Sequence, residues 1–481
     1  MIERTGTHTT ARILTDDETL VDSNVLDQLD TLVEHPAFTN PIRMMPDAHV
    51  GAGAPVGFTM ELGERIVPNI VGVDVGCGMA AFELGETLPL ADGERERIVR
   101  ETVPMGRSVH EYDDAPHLIE EFPFERANTV FERFDDAYAD QFGERIAPEA
   151  FSFDGYDGEY FTELCHRVLA DQRQGLSYVI QSAGTLGGGN HFIEFARARE
   201  SGTYWLVIHS GSRYLGKSVA EFWQSRANDY RSADAIRESI PDEYVEFFKF
   251  DPATVSDREL HTWVTGGMGE SHLRNQAIRD AFEGSEIERV FDRLSRPKAA
   301  VEERNNALDY LDGREAHGYF VDMLFAQQYA RWNRTLIGEA ICDALGVSPT
   351  DSFQSIHNYI DFRDLTIRKG ATPAREGQRI VVPFNMAEGS ILADGNGNDE
   401  YNRSAPHGAG RRMSRSEAFE TIPIEQFEAS MEGVYSESVL DGVRDEAPMA
   451  YKSAEAIEEA LEPTATIADR LDSVHNIKST E

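Results

Sequence analysis

Residues 65–79 read RIVPNIVGVDVGCGM: an apolar, β-type run that ends in a loop where Gly72, Gly76 and Gly78 alternate with Asp74 and Cys77. β-Branched residues favour a strand, and glycines permit the tight backbone that follows it. The pattern recurs in TYWLVIHS (203–210), which runs into GSRYLGK, and in QRIVVPF (378–384), which runs into NMAEGSI. A run apolar on both faces suits a buried strand whose end carries a functional loop. Working outward, three stretches are dense in Gly, His and Asn and poor in acid: 44–79, 183–216 and 355–415. The segments between them, 86–178 and 218–350, carry apolar residues at three- and four-residue spacing, as in EYFTELCHRVLADQRQGL and GYFVDMLFAQQYARWNRTLIGEAICDAL, and predict acidic helices. Residues 424–481 predict a helical tail that folds back on the site. No linker or repeat divides the chain. The expected fold is α+β, one large domain over 1–481 with a β-sheet core, sites on its loop ends, and acidic helices wrapped around it.

Composition narrows the function classes. The 481 residues include 85 Asp and Glu against 45 Lys and Arg, a net charge of −40, and 41% are hydrophobic. That is too apolar for a disordered polyanion. No apolar run is long enough for a membrane span, and residues 1–14 lack a signal-type stretch. Three cysteines give no disulfide framework, so a reducing cytoplasm is expected. Only six of the 45 basic residues are Lys. Self-repulsion on this scale is screened in about 1 M salt, where the Debye length is roughly 3 Å, so the composition reads as that of a halophile.

Asp74 and Cys77, three apart among glycines, can aim a carboxylate and a thiolate at one centre, a donor pair suited to a borderline-soft divalent metal. His191 in GGGNHF, His209 after YWLVI and His357 in SIHN add imidazoles in similar surroundings. Five donors exceed one tetrahedral zinc. They suit two ions bridged by the thiolate, or one of higher coordination. His407 lies in SAPHGAGR with Gly408 and Gly410 beside it, small enough to admit a ligand against the backbone. Arg411, Arg213 and Lys369 offer cations for phosphate. His407 reads equally as a nucleophile toward phosphorus, a general base, or a further metal ligand. There is no P-loop and no GxGxxG after a strand, so a nucleotide would be held another way. In a chain nearly stripped of Lys, the survivors Lys217, Lys369, Lys452 and Lys478 fall in or beside these stretches.

Together the segments MPDAHVGAGAPVG (45–57), VGVDVGCGM (71–79), GTLGGGNHFIE (184–194), HSGSRYLGK (209–217), IHNYID (356–361), RKGA (368–371), NMAEGSI (385–391), SAPHGAGRRMSR (404–415) and DEAPMAYK (445–452) resemble the RtcB family of RNA ligases. The resemblance implies joining of an RNA 3′-phosphate or 2′,3′-cyclic phosphate to a 5′-hydroxyl, in tRNA splicing or RNA repair, with GTP and two Mn²⁺ ions. It implies that Asp74, Cys77, His191, His209 and His357 bind Mn, with Cys77 bridging, and that His407 becomes guanylylated. Asn190, Phe192, Glu194, Asn385, Ser390, Gly408, Gly410, Tyr451 and Lys478 would hold the nucleotide. Asn190, Arg213 and Arg411 would grip phosphates, Lys369 belongs to the same set, and Asp47 would orient His407. Two departures stand out. Asn385 replaces a hydroxyl found in some relatives, and Ser479-Thr480-Glu481 follow Lys478, so that tail must be accommodated. An acidic surface implies a short RNA footprint at the ends, read by Arg213, Arg411 and the metals. A monomer is expected, with an activating protein as a further partner. The alternative reading is a metal-dependent RNA-end phosphohydrolase or cyclic phosphodiesterase, which needs no His407, Tyr451 or Lys478.

Overall fold

The computed structural model describes residues 1–15, 21–147, 153–265, 273–302 and 306–480. Two large sheets meet at the centre. One runs in the order Ile2–Thr5, Thr10–Ile13, Ile42–His49, Val56–Glu61, Thr366–Lys369, Asn358–Ile360, antiparallel except between its second and third strands. The other runs Asp351–Ile356, Gly78–Gly85, Tyr204–Ser210, Phe192–Ala198, Ala465–Ile477, Gly389–Gly395, Arg379–Asn385, antiparallel throughout. A ribbon of Ala371–Pro373 and Ser404–Pro406 lies beside them. The expected α+β class holds, and two of the apolar runs quoted above are strands: YWLVIHS is buried from Trp205 to Ser210, and RIVVPF lies within Arg379–Asn385. The run that opens the chain's first glycine loop is not: only Arg65–Ile66 is a strand, and Pro68, which has no N–H for a ladder, begins a 3-10 turn over Pro68–Ile70.

Helices flank the sheets as expected at Asp92–Thr102, Phe124–Phe142 and Gly158–Val168. The 33-residue helix Gly313–Leu345 departs from the expected acidic wrapping. It is buried along most of its length: apolar side chains occur on every face, and the polar ones it buries, such as Asp322, Asn333 and Arg334, are hydrogen-bonded within the core. Residues Ala233 to Val301 form a separate apolar cluster around Phe247, Phe248, Leu260, Ile278 and Leu294. Among the described residues no helix is long and apolar enough to cross a membrane.

The C-terminal tail is a third correction. Helices do form at Ile424–Ser430 and Ala454–Leu461, but Ala465–Ile477 is a strand inside the seven-stranded sheet. Pro463 cannot continue the helix before it. The strand then satisfies two open ladders at once, those of Gly389–Gly395 and Phe192–Ala198. It ends beside Phe192 and so delivers Lys478 to the site.

Candidate active site

The metal-type donors sit where the two sheets join. Asp74 and Cys77 share the turn before Gly78–Gly85, closed by the Cys77 N–H donating to the Asp74 carbonyl at 3.1 Å. Gly76 takes φ +75°, and a Cβ there would come within 2.9 Å of the Gln327 backbone and the Ala330 side chain, so only glycine lets this turn lie on the buried helix. His209 lies near the end of its strand and is paired with Phe192, one residue after His191. His357 is the single residue between Asp351–Ile356 of one sheet and Asn358–Ile360 of the other. Its N–H donates to the Cys77 carbonyl at 2.9 Å.

Donor atoms of Asp74, Cys77 and His191 lie within 4.8 Å of one another, as do those of Cys77, His209 and His357. Cys77 belongs to both groups. Its Sγ is 3.3 Å from His209 Nε2 and 3.6 Å from His191 Nε2. The second ring nitrogens fix the tautomers. Nδ1 of His191 is 2.9 Å from the Leu186 carbonyl, and Nδ1 of His209 is 3.1 Å from that of Asn190. A carbonyl only accepts, so both Nδ1 atoms carry the proton and both Nε2 atoms present lone pairs. Burial first, and then the neighbouring histidines, hold His209 and His357 well below the usual imidazole range.

These donors fit a cation. His191 Nε2 faces Asp74 Oδ2 at 3.0 Å, acceptor against acceptor, and His209 Nε2 faces His357 Nε2 at 3.3 Å. The first contact is repulsive unless positive charge lies between the two atoms, and the second leaves the buried His357 Nδ1 without a hydrogen-bond partner among the described residues. The buried Cys77 thiol is pushed above its ordinary range by burial and by Asp74, and a coordinating cation would deprotonate it. A thiolate, imidazoles and a carboxylate suit Mn, Fe, Co or Zn.

His407 stands at the edge of this cluster, its ring centroid 4.9 Å from that of His357. Asp47, fully buried, accepts from Nδ1 of His407 at 2.7 Å and from its backbone N–H at 3.3 Å. Nδ1 therefore holds the proton, and a neutral ring has its lone pair on Nε2. Gly410, at φ +67°, lies so close that a Cβ would come 2.3 Å from the Asp47 carbonyl oxygen. The ring opens on a cavity of about 300 Å³, lined by Asn190, Phe192, His209, His357, Asn385, Gly408, Gly410, Arg411, Tyr451 and Lys478 among others. Asn385 accepts from the N–H groups of Ala387 and Glu388, closing the turn beside the cavity.

Several expected residues lie behind the wall. Glu194 is buried between Ser390 Oγ at 3.3 Å and Asn476 Nδ2 at 3.0 Å, and burial raises its carboxyl to about 7 despite those bonds. Arg213 is held by Thr185 Oγ1 at 3.2 Å and the Gly106 carbonyl at 3.4 Å. The Lys369 amine bonds the carbonyls of Ala52 and Asn69, and burial lowers it to about 8. The Lys452 amine likewise holds the carbonyls of Pro46 and Ala48, on either side of Asp47. Glu481 lies outside the described residues, and Ser479 and Thr480 do not displace Lys478. Arg100 and Ser438 donate to its carbonyl, and its amine stays at the cavity, 2.9 Å from Glu446.

Sequence reasoning missed three supports. Glu446 joins Lys478, Tyr451 Oη at 2.7 Å and Arg411 at 3.3 Å. Burial pushes its carboxyl up, but Lys478 and Arg415 prevail and hold it at about 2. Its only signal was its place in DEAPMAYK. Asn333 and Arg334 of the buried helix bond Thr185, Gly211, Gly76 and Ser210, tying three donor loops together. Nothing near them in the sequence marks this.

The sequence that builds this site matches known proteins. The family model described as tRNA-splicing ligase RtcB matches residues 28–257 and 282–479. The chain belongs to the RtcB family. It is 28% identical over 448 residues to the RNA-splicing ligase RtcB of Escherichia coli strain K12, covering 91% of this chain and 90% of that one. RNA-splicing ligase RtcB1 of Escherichia coli strain ATCC 25922 is 27% identical, with the same coverage. The tRNA-splicing ligase RtcB of Nanoarchaeum equitans is 23% identical, over 92% of this chain and 87% of its own. Between the two matched segments, Leu260, Val264, Leu273 and Ile278 belong to the separate apolar cluster around Phe247 and Phe248.

Proposed function

We propose that this chain is a GTP- and Mn-dependent RNA ligase that joins RNA 3′-phosphate or 2′,3′-cyclic phosphate ends to 5′-hydroxyl ends through a covalent histidine–GMP intermediate. The observation that carries the reading is the Asp47–His407 pair: a buried carboxylate fixes Nδ1, leaving Nε2 as the nucleophilic nitrogen at a cavity beside five convergent donors. Asp74, Cys77, His191, His209 and His357 would hold two Mn²⁺ ions, with Cys77 shared; when bound, the ions supply positive charge to phosphate oxygens and lower the pKa of water. His407 attacks the α-phosphate of GTP, and pyrophosphate leaves. Asp47 stabilises the imidazolium that forms as Nε2 bonds phosphorus. Phe192 and Tyr451 flank the base, and Lys478, held by Glu446, offers it a donor. GMP then passes to the RNA 3′-phosphate, converting a poor leaving group into a good one. The 5′-hydroxyl displaces GMP to complete the phosphodiester.

Incubation with labelled GTP and Mn should leave acid-labile label on the protein, and His407→Ala should abolish it. Label that survives in that variant would overturn the assignment.

A further inference from the structure

We propose that His49 is the base that takes the proton of the incoming 5′-hydroxyl in the joining step, an inference that rests on the ligase reading above. His49 lies two residues beyond Asp47, and its ring stacks on that of His407, with centroids 6.4 Å apart and 21° between planes. Its Nδ1 is 3.1 Å from the Asp47 carbonyl oxygen. Because a carbonyl only accepts, Nδ1 carries the ring proton and the neutral ring presents its lone pair at Nε2. One segment thus sets two imidazoles: the Asp47 carboxylate fixes His407, and the Asp47 carbonyl fixes His49.

Position gives the second nitrogen its task. His49 lines the cavity assigned to GMP, and it also lines an adjoining groove of about 1410 Å³. The groove runs past Arg412 and Ser414 to the start of the helix Ser23–Val33. Arg412 is exposed, and its guanidinium forms no ion pair among the described residues, so it is available to a backbone phosphate. Arg411 and Arg415, by contrast, are already paired with Glu446. A strand in this groove would bring its end to the guanylylated 3′-phosphate at His49. The charged and titratable groups facing the ring are His407, Asp47 and Lys452. Burial, then His407, holds it at about 4, so it is neutral at pH 7 and accepts a proton only as the hydroxyl becomes alkoxide-like.

In the step, the hydroxyl O–H bond breaks and its proton moves to His49 Nε2. The same oxygen bonds the 3′-phosphorus. The bond from that phosphorus to the oxygen of GMP breaks, and GMP leaves with the electron pair. Guanylylation of His407 involves no hydroxyl proton and makes no such demand.

The test uses the full chain with Mn, a synthetic RNA bearing a 3′-diphosphate-linked guanosine, and a 5′-hydroxyl RNA, followed in single turnover. For His49→Ala and His49→Gln, joining should fall about 100-fold or more relative to any fall in labelling of His407 by GTP. Gln fills the ring's space without accepting a proton, so it guards against a packing defect. Free imidazole should restore joining to the Ala variant. Joining at the wild-type rate, parallel loss of labelling and joining, or the absence of imidazole rescue would each overturn the proposal. Failure of the wild-type chain to take label at His407 would overturn the ligase reading itself, and this proposal with it.

Discussion

Replacing Asp47 by Asn removes one charge from the pair that sets His407 and changes almost no volume. The carboxylate is fully buried, so water cannot substitute for it. It accepts from Nδ1 at 2.7 Å, and a hydrogen bond to a charged group contributes about 1.5–3 kcal/mol. At about 1.4 kcal/mol per tenfold in rate, guanylylation should slow by roughly 10- to 150-fold if the amide oxygen still faces the ring. If the amide NH₂ turns toward Nδ1 instead, the ring proton must move to Nε2, the nucleophilic lone pair is lost, and the fall exceeds that range. The assay is single-turnover transfer of label from GTP in saturating Mn, with thermal melting to confirm folding. The rate should drop while GTP affinity changes little, because Asp47 lies behind His407 and does not itself line the cavity. A folded Asp47→Asn protein that labels within about threefold of the wild-type rate would refute the tautomer argument.

Three further outcomes follow from the geometry. Cys77→Ser removes the donor common to both groups, so Mn retained after gel filtration, measured by elemental analysis, should fall from two ions per chain to at most one; retention of both would refute a shared thiolate. Burial raises the Glu194 carboxyl from 4.5 to about 7, so its stabilising protonated form is full below about pH 4.5 and lost as pH rises through 7. Glu194→Gln should therefore melt close to wild type at pH 5 and higher at pH 8.5, with a difference on the order of 3 kcal/mol at most, and a difference independent of pH would contradict the raised value. If the net charge of −40 reflects a salt-rich cytoplasm, Tm should climb steeply between about 0.1 and 2 M KCl, and a flat profile would dispose of the halophile reading.

The sequence alone specified the chemistry available to this protein. Donor identity is written in single residues, and the glycines at 72, 76 and 78 mark backbone that must turn sharply, so Asp74, Cys77, the three histidines and His407 could all be named before any fold was known. The strands YWLVIHS and RIVVPF were legible because a buried strand must be continuously apolar. The strand Ala465–Ile477 was not, because its pattern is interrupted by charge and by register shifts, and what makes it a strand is the pair of open ladders waiting on either side. The helix Gly313–Leu345 was legible as a helix, but its burial depends on what packs around it. Tertiary structure also decided which groups act together. His357 reaches Cys77 because the chain crosses between sheets at that residue, Glu446 is charged because Lys478 and Arg415 arrive from distant segments, and His49 meets His407 only through the Asp47 segment that Lys452 holds. Such contacts join residues tens to hundreds of positions apart, and no local spacing encodes them, since they follow from strand pairing and helix burial across the whole core.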